Sequence, residues 1–173
     1  MRRGVRVGVD PGTVRVGVAG SDPDGILASP WDTLRRDWVG LLDVAQIAQI
    51  VTDRNVLEVL VGLPTSMSGQ QGTASRAARA YAEQIAQAVA PVPVRVVDER
   101  LSTVTAHARL REAGVKGRRQ RSTVDRTAAA IILQGALDAE RASGHPPGSL
   151  VDPVSQPDGP AAATDHGRPA PGG

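Results

Sequence analysis

The opening of the chain leaves little freedom in how it can fold. Residues 5–10, VRVGVD, and 14–20, VRVGVAG, are two β-branched runs separated only by Pro11, Gly12 and Thr13. Valine at this density reads as buried strand, and Pro-Gly between two such runs reads as a turn. So short a link cannot carry a crossover, so the two strands are antiparallel. The first of them ends in a carboxylate, Asp10. Residues 25–30 read as a third strand at the sheet edge, again linked too briefly to be parallel.

The texture then changes. Over residues 37–53, Trp38, Leu41, Leu42, Ala45, Ala48 and Val51 recur at three- and four-residue steps, widened by Val44, Ile47 and Ile50, which predicts an amphipathic helix. Residues 56–61 are apolar except for Glu58 and fit a strand covered on both faces. A polar loop over 64–72 leads to an Ala-rich helix over 73–90, stopped by Pro91. Residues 94–97 form another strand and again end in acid, Asp98 and Glu99. A helix over 102–113 stops at Gly114. A basic loop follows, and Ser122 or Thr123 caps a last helix reaching about residue 142. The expectation is an α/β fold built on one mixed five-stranded sheet. Three antiparallel strands come first, then two helix-separated strands, with helices on both faces.

Composition sets further bounds. At 173 residues the chain suits one domain with a sizeable core. With no Phe, two Trp and one Tyr, that core must be aliphatic, which argues against a row of aromatics stacking bases. The absence of Cys excludes disulfides, thiolate metal sites and Cys nucleophiles. The first ten residues hold three Arg and no apolar stretch of a signal peptide, and no run approaches the length of a membrane helix. The expected setting is cytoplasmic, without a membrane. Seven of the 13 Pro fall after Gly144. The division expected is therefore a folded domain at 1–143 and a Pro/Gly/Ala-rich, disordered tail at 144–173.

Net charge is +2, but the stretch from His145 onward carries three Asp and one Arg, so the part before it is net +4. Lys116, Arg118, Arg119, Arg121 and Arg126 crowd one short segment. Such a cluster is either a solvated loop or a contact for a polyanion.

Three acids stand at positions where α/β sheets gather their chemistry: Asp10, the Asp98–Glu99 pair, and Asp125 near the start of the last helix. If they converge, their mutual repulsion calls for a cation. Oxygen donors alone suit a hard ion, Mg²⁺ or Mn²⁺, and such a site performs phosphoryl chemistry. Each acid also has a purely structural reading. Asp10 can be a turn former, Glu99 can pair with Arg100, and Asp125 with Ser122 can form a capping box. Strand alternation does not choose between Asp98 and Glu99, which face opposite sides.

Four segments, VGVDPGTVRVGVA at 7–19, GLPTSMSGQQG at 62–72, VVDERLST at 96–103 and VDRTAAAIILQ at 124–134, resemble the four sequence blocks of the YqgF/RuvX family, in order and across residues 4–140. The resemblance implies an RNase H-like fold and a metal-dependent nuclease with Asp10, Glu99 and Asp125 as catalytic metal ligands. It selects Glu99 over Asp98. Ser66 and Ser68 depart from the family's usual Asn and Asp. The implied role is processing of the 5′ end of pre-16S rRNA, possible contact with ribosomal particles included; the alternative is resolution of four-way DNA junctions. Arg100, Lys116, Arg118, Arg119, Arg121 and Arg126 are the candidates for substrate phosphates. The loop around Ser66, Ser68 and Gly69 is a candidate for sugar-phosphate contacts. His107 reads as structural. A monomer or weak homodimer is expected, since only a resolvase needs two-fold symmetry.

Two rivals share parts of this pattern. The Asp10–Thr13 turn also resembles the phosphate-cradling turn of sugar kinases and actin-like ATPases, but those clamp nucleotide between two copies of the fold. A non-catalytic RNA-binding module would leave all three acids structural.

Overall fold

The computed structural model describes residues 1–64, 72–101 and 118–153; for residue 101 and residues 118–124 it describes the backbone alone. Element order is β1 (Arg6–Pro11), β2 (Arg15–Ser21), β3 (Ala28–Arg35), α1 (Leu42–Asp53), β4 (Glu58–Leu63), α2 (Thr73–Val89), β5 (Val94–Asp98), a 3₁₀ turn (Glu99–Leu101), α3 (Arg118–Ser143) and β6 (Ser149–Val151).

The sheet runs β3-β2-β1-β4-β5-β6. The β1/β2 and β2/β3 pairs are antiparallel, with Asp10 opposite Gly17 and Arg15 opposite Arg35, while β1/β4 and β4/β5 are parallel. The antiparallel start and the mixed sheet are as expected from the link lengths. Alternation sorts the side chains into two cores. Val7, Val9, Val16, Val18, Val59, Val61, Val94 and Val96 face α1 and α2. On the opposite face Leu60 and Val97 pack with Ala129, Leu133, Ala136 and Leu137 of α3.

Four expectations need correction. The sheet has six strands, not five, because residues 149–151 pair antiparallel with β5. They lie in the segment whose composition reads as tail; three residues suffice to seal an edge when one of them, Val151, is buried. The third strand is Ala28–Arg35 rather than 25–30, since Asp22 turns the chain there by accepting the N–H groups of Asp24, Ile26 and Leu27. Helix α1 begins at Leu42, and its buried face is Val44, Ile47 and Val51, leaving Trp38 and Leu42 exposed. Finally, α3 already includes residue 118, so Ser122 and Thr123 are not its cap, Arg118, Arg119 and Arg121 are helical rather than loop residues, and Asp125 is not in its first turn. The helix expected at 102–113 and the 64–72 loop from residue 65 to 71 lie outside the described residues.

Candidate active site

Helix α3 crosses β1 and β2 at unusually short range, and two glycines make that possible. A Cβ at Gly8 would stand 2.7 Å from Leu133 Cβ and 3.0 Å from the Ala129 carbonyl oxygen; a Cβ at Gly17 would stand 2.0 Å from the carbonyl oxygen of Asp125. Gly17 is the cross-strand partner of Asp10. The backbone of Asp125 therefore lies directly over the residue beside Asp10. Two acids separated by more than a hundred positions are brought together because neither strand residue beneath the helix carries a side chain.

The third acid arrives from β5. Residue 97 of β5 packs on the α3 face and residues 94 and 96 on the opposite one. Continued by one step of two, this alternation puts Glu99 on the α3 side with Asp10 and puts Asp98 on the other. The electrostatics agree. Burial, then the negative charges of Glu99 and Asp125, push the Asp10 carboxyl up from its ordinary 3.8 to about 6. Glu99 is likewise raised, by burial and then by Asp98. Asp98 is occupied elsewhere. It accepts from the Arg100 backbone N–H at 2.8 Å and pairs with the Arg100 guanidinium at 2.9 Å. Arg100 thus pairs with Asp98, not with Glu99.

Among the described residues Asp10 accepts no hydrogen bond and meets no cation, while Asp125 Oδ2 pairs with Arg15 Nε at 3.1 Å. Nor do three metal-ligating side chains close on a single point among the described residues. The geometry is one of shared field rather than finished cage. A half-buried carboxylate with no cation beside it among the described residues, facing two more acids, is a donor set that fits a hard divalent cation.

A protein-family model described as "RuvX: Holliday junction resolvase" matches residues 4–139. This chain belongs to the RuvX family. It is 53% identical over 171 residues to a Frankia casuarinae protein named "Putative pre-16S rRNA nuclease", covering 98% of this chain and 84% of the relative. It is also 53% identical over 159 residues to a Thermobifida fusca protein of the same name, covering 88% and 98%. Its backbone is similar to that of T. thermophilus RuvC in complex with Holliday junction substrate, at a TM-score of 0.54 and 14% identity, covering 80% of this chain and 96% of that one. This likeness speaks for the RNase H-like fold. Family and relatives together make the chain a nuclease, a hydrolase of phosphodiester bonds.

Within this RuvX-family site, two contributors escaped the reading of the sequence. Arg15 was legible only as one residue of a strand, and its contact with Asp125 spans 110 positions. Gly17 looked like strand texture, although a lone glycine inside a valine run is a signal of close backbone approach. The candidate phosphate ligands are only partly placed. Arg100 is exposed and tied to Asp98, and Arg126 stands on α3 next to Asp125. Lys116, the side chains of Arg118, Arg119 and Arg121, the Ser66–Gly69 loop and His107 lie outside the described residues. No helix among the described residues is long and apolar enough to cross a membrane.

Proposed function

We propose that this RuvX-family protein is a divalent-metal-dependent nuclease that processes the 5′ end of pre-16S rRNA, acting in the cytoplasm with Mg²⁺ or Mn²⁺. One observation carries the metal assignment: the half-buried carboxyl of Asp10, which meets no cation among the described residues, is raised to about 6 by burial and by the charges of Glu99 and Asp125. Such an arrangement opposes stability unless a cation occupies it. Asp10, Glu99 and Asp125 would hold the ions, which when bound supply activation of a water and stabilisation of the departing oxygen. The remaining work falls to the chain itself. Arg15 pairs with Asp125 from the side and competes with the ions for its carboxylate. Arg100 and the basic residues Lys116, Arg118, Arg119, Arg121 and Arg126 hold phosphates of the substrate. Arg100 can exchange its exposed pair with Asp98 for a phosphate because a solvent-exposed ion pair holds its partners only weakly. The catalytic domain is residues 1–143 together with the strand at 149–151.

The pre-16S rRNA assignment is supported by relatives sharing half of all positions over nearly the whole chain. A second reading, resolution of four-way DNA junctions, draws on the family description. Resolution needs paired cuts and therefore a two-fold dimer. The deciding experiment offers purified protein, with Mg²⁺ and separately Mn²⁺, a precursor rRNA end and a four-way junction, alongside Asp10→Asn and a determination of mass in solution. Cleavage of the rRNA end by a monomer, abolished in Asp10→Asn, is expected. Symmetric junction cleavage by a dimer would replace the rRNA reading, and equal cleavage by Asp10→Asn would sink the metal site.

A further inference from the structure

The segment between β3 and α1 is built rigidly and displays an aromatic ring. The Asp37 carboxylate accepts the backbone N–H groups of Val39, Gly40 and Leu42 at 3.2, 2.9 and 3.1 Å. Leu41 completes the turn in the left-handed region, at φ 54°. At its tip stand Trp38, 56% exposed, and Val39, 94% exposed.

Trp38 is exposed but not loose. Its indole N–H donates to the Thr13 carbonyl oxygen at 3.0 Å. The Arg36 guanidinium lies 4.2 Å from the centre of its ring and 3.6 Å from the centre of the Tyr81 ring. Arg36 is almost wholly buried and stands 3.6 Å from Asp43, which also accepts the Tyr81 hydroxyl at 2.9 Å. The ring is therefore the outermost layer of a Tyr81–Arg36–Trp38 stack rooted in the core. One face is covered by a cation and the chain leaves the ring more than half exposed.

Its position ties it to the site. Thr13 belongs to the turn that follows Asp10 and is closed by the Gly12 N–H to Arg15 carbonyl bond of 2.9 Å. The nearby strand ends carry Arg15 and its cross-strand partner Arg35. Val14, Val39 and Leu42 near it are exposed as well, but what distinguishes the place is the fixed ring. Here a fixed aromatic ring is set among arginines, which is the combination that receives a nucleobase on the ring and its phosphates on the cations.

We propose that Trp38 is a stacking platform for an unpaired nucleobase of the substrate strand, next to the scissile phosphate. The occupant rests on the nuclease reading above; the contact itself does not require cleavage. The site then favours substrates whose strand is single near the cut. Binding of the full chain to a single-stranded RNA decamer and to a blunt RNA duplex, in EDTA, tests this. Trp38→Ala should weaken decamer binding about 10-fold and leave duplex binding within about 2-fold, while Trp38→Phe retains most of the affinity. The decamer should quench tryptophan emission in the wild type far more than in Trp38→Phe, which retains Trp31. Equal decamer binding by wild type and Trp38→Ala, or equal loss for decamer and duplex, would overturn the proposal. Quenching by a ribosomal particle but not by the decamer would overturn it in favour of a protein partner. A protein that binds the decamer through Trp38 yet cleaves neither substrate would leave the stack standing and remove the catalytic reading instead.

Discussion

The face of the sheet covered by α3 carries charge at both of its ends, and the two ends are opposites. At the end where β1 and β4 begin, Arg6 and Glu58 are neighbours across the parallel pair and both are fully buried. Arg2 and Arg6 bridge Glu58 and Glu140 of α3, and Arg95 approaches Glu58 at 3.5 Å. Burial alone would raise the Glu140 carboxyl; hydrogen bonds from Arg2 and the charge of Arg6 outweigh it and hold it below the ordinary range. At the other end the same strand and helix carry Asp10 and Asp125, joined by Glu99. There, among the described residues, Asp10 meets no cation and its carboxyl is raised. Buried acids matched by guanidinium groups hold the layers together, whereas a half-buried acid raised by neighbouring acids marks a candidate functional site.

Four substitutions and one pH titration distinguish the two ends. Asp10→Asn should lower cleavage by at least about 10³-fold, the scale expected when a group stabilising the transition state is lost. The same change should stabilise the metal-free protein by about 1–2 kcal/mol, seen as a melting point higher by roughly 3–6 °C in EDTA. Glu58→Gln at the opposite end should do the reverse. It leaves buried guanidinium groups unmatched, so unfolding in urea should show a loss of about 3–5 kcal/mol, with activity per folded molecule unchanged. A variant that loses activity but not stability there would erase the distinction between the two ends.

Gly17→Ala tests the close approach that unites the acids. Its Cβ would have to displace the Asp125 carbonyl, so a stability loss of about 1–3 kcal/mol is expected together with weaker metal binding by calorimetry. The pH response sharpens the comparison further. The folded-state carboxyl of Asp10 titrates near 6 against an ordinary 3.8, so its contribution to stability is fully present below about pH 4 and is lost as pH rises through about 6. In EDTA this group should therefore favour the acid side of that window. Divalent metal should bind progressively less tightly as pH falls below about 6, because proton and cation compete for the same oxygens. Smallest is Arg15→Ala. The half-exposed pair with Asp125 is worth about 0.2–1 kcal/mol, so its removal should tighten metal binding by roughly 2–5-fold in a calorimetric titration. Unchanged affinity would show that Arg15 does not compete with the ion.

Strand direction was legible in the chain, because a link too short for a crossover forces antiparallel pairing and a helical link allows parallel pairing. The sequence by itself also determined the acid-only donor set and, through four ordered blocks, the family. It could not resolve Asp98 from Glu99 by alternation alone, since which face is buried under which helix is a property of packing. It misplaced Trp38 and Leu42 in a helical stripe, because periodicity does not show where Asp37 halts the turn and holds the ring outside. A sixth strand of three residues carries too little pattern to be read at all; pairing with β5 creates it. Arg15 against Asp125, and Arg6 against Glu58 and Glu140, join positions with no local relation in the chain. Only the approach of α3 over Gly8 and Gly17 brought Asp125 over the residue beside Asp10, because which charges meet is set by distances across layers, not by order along the chain.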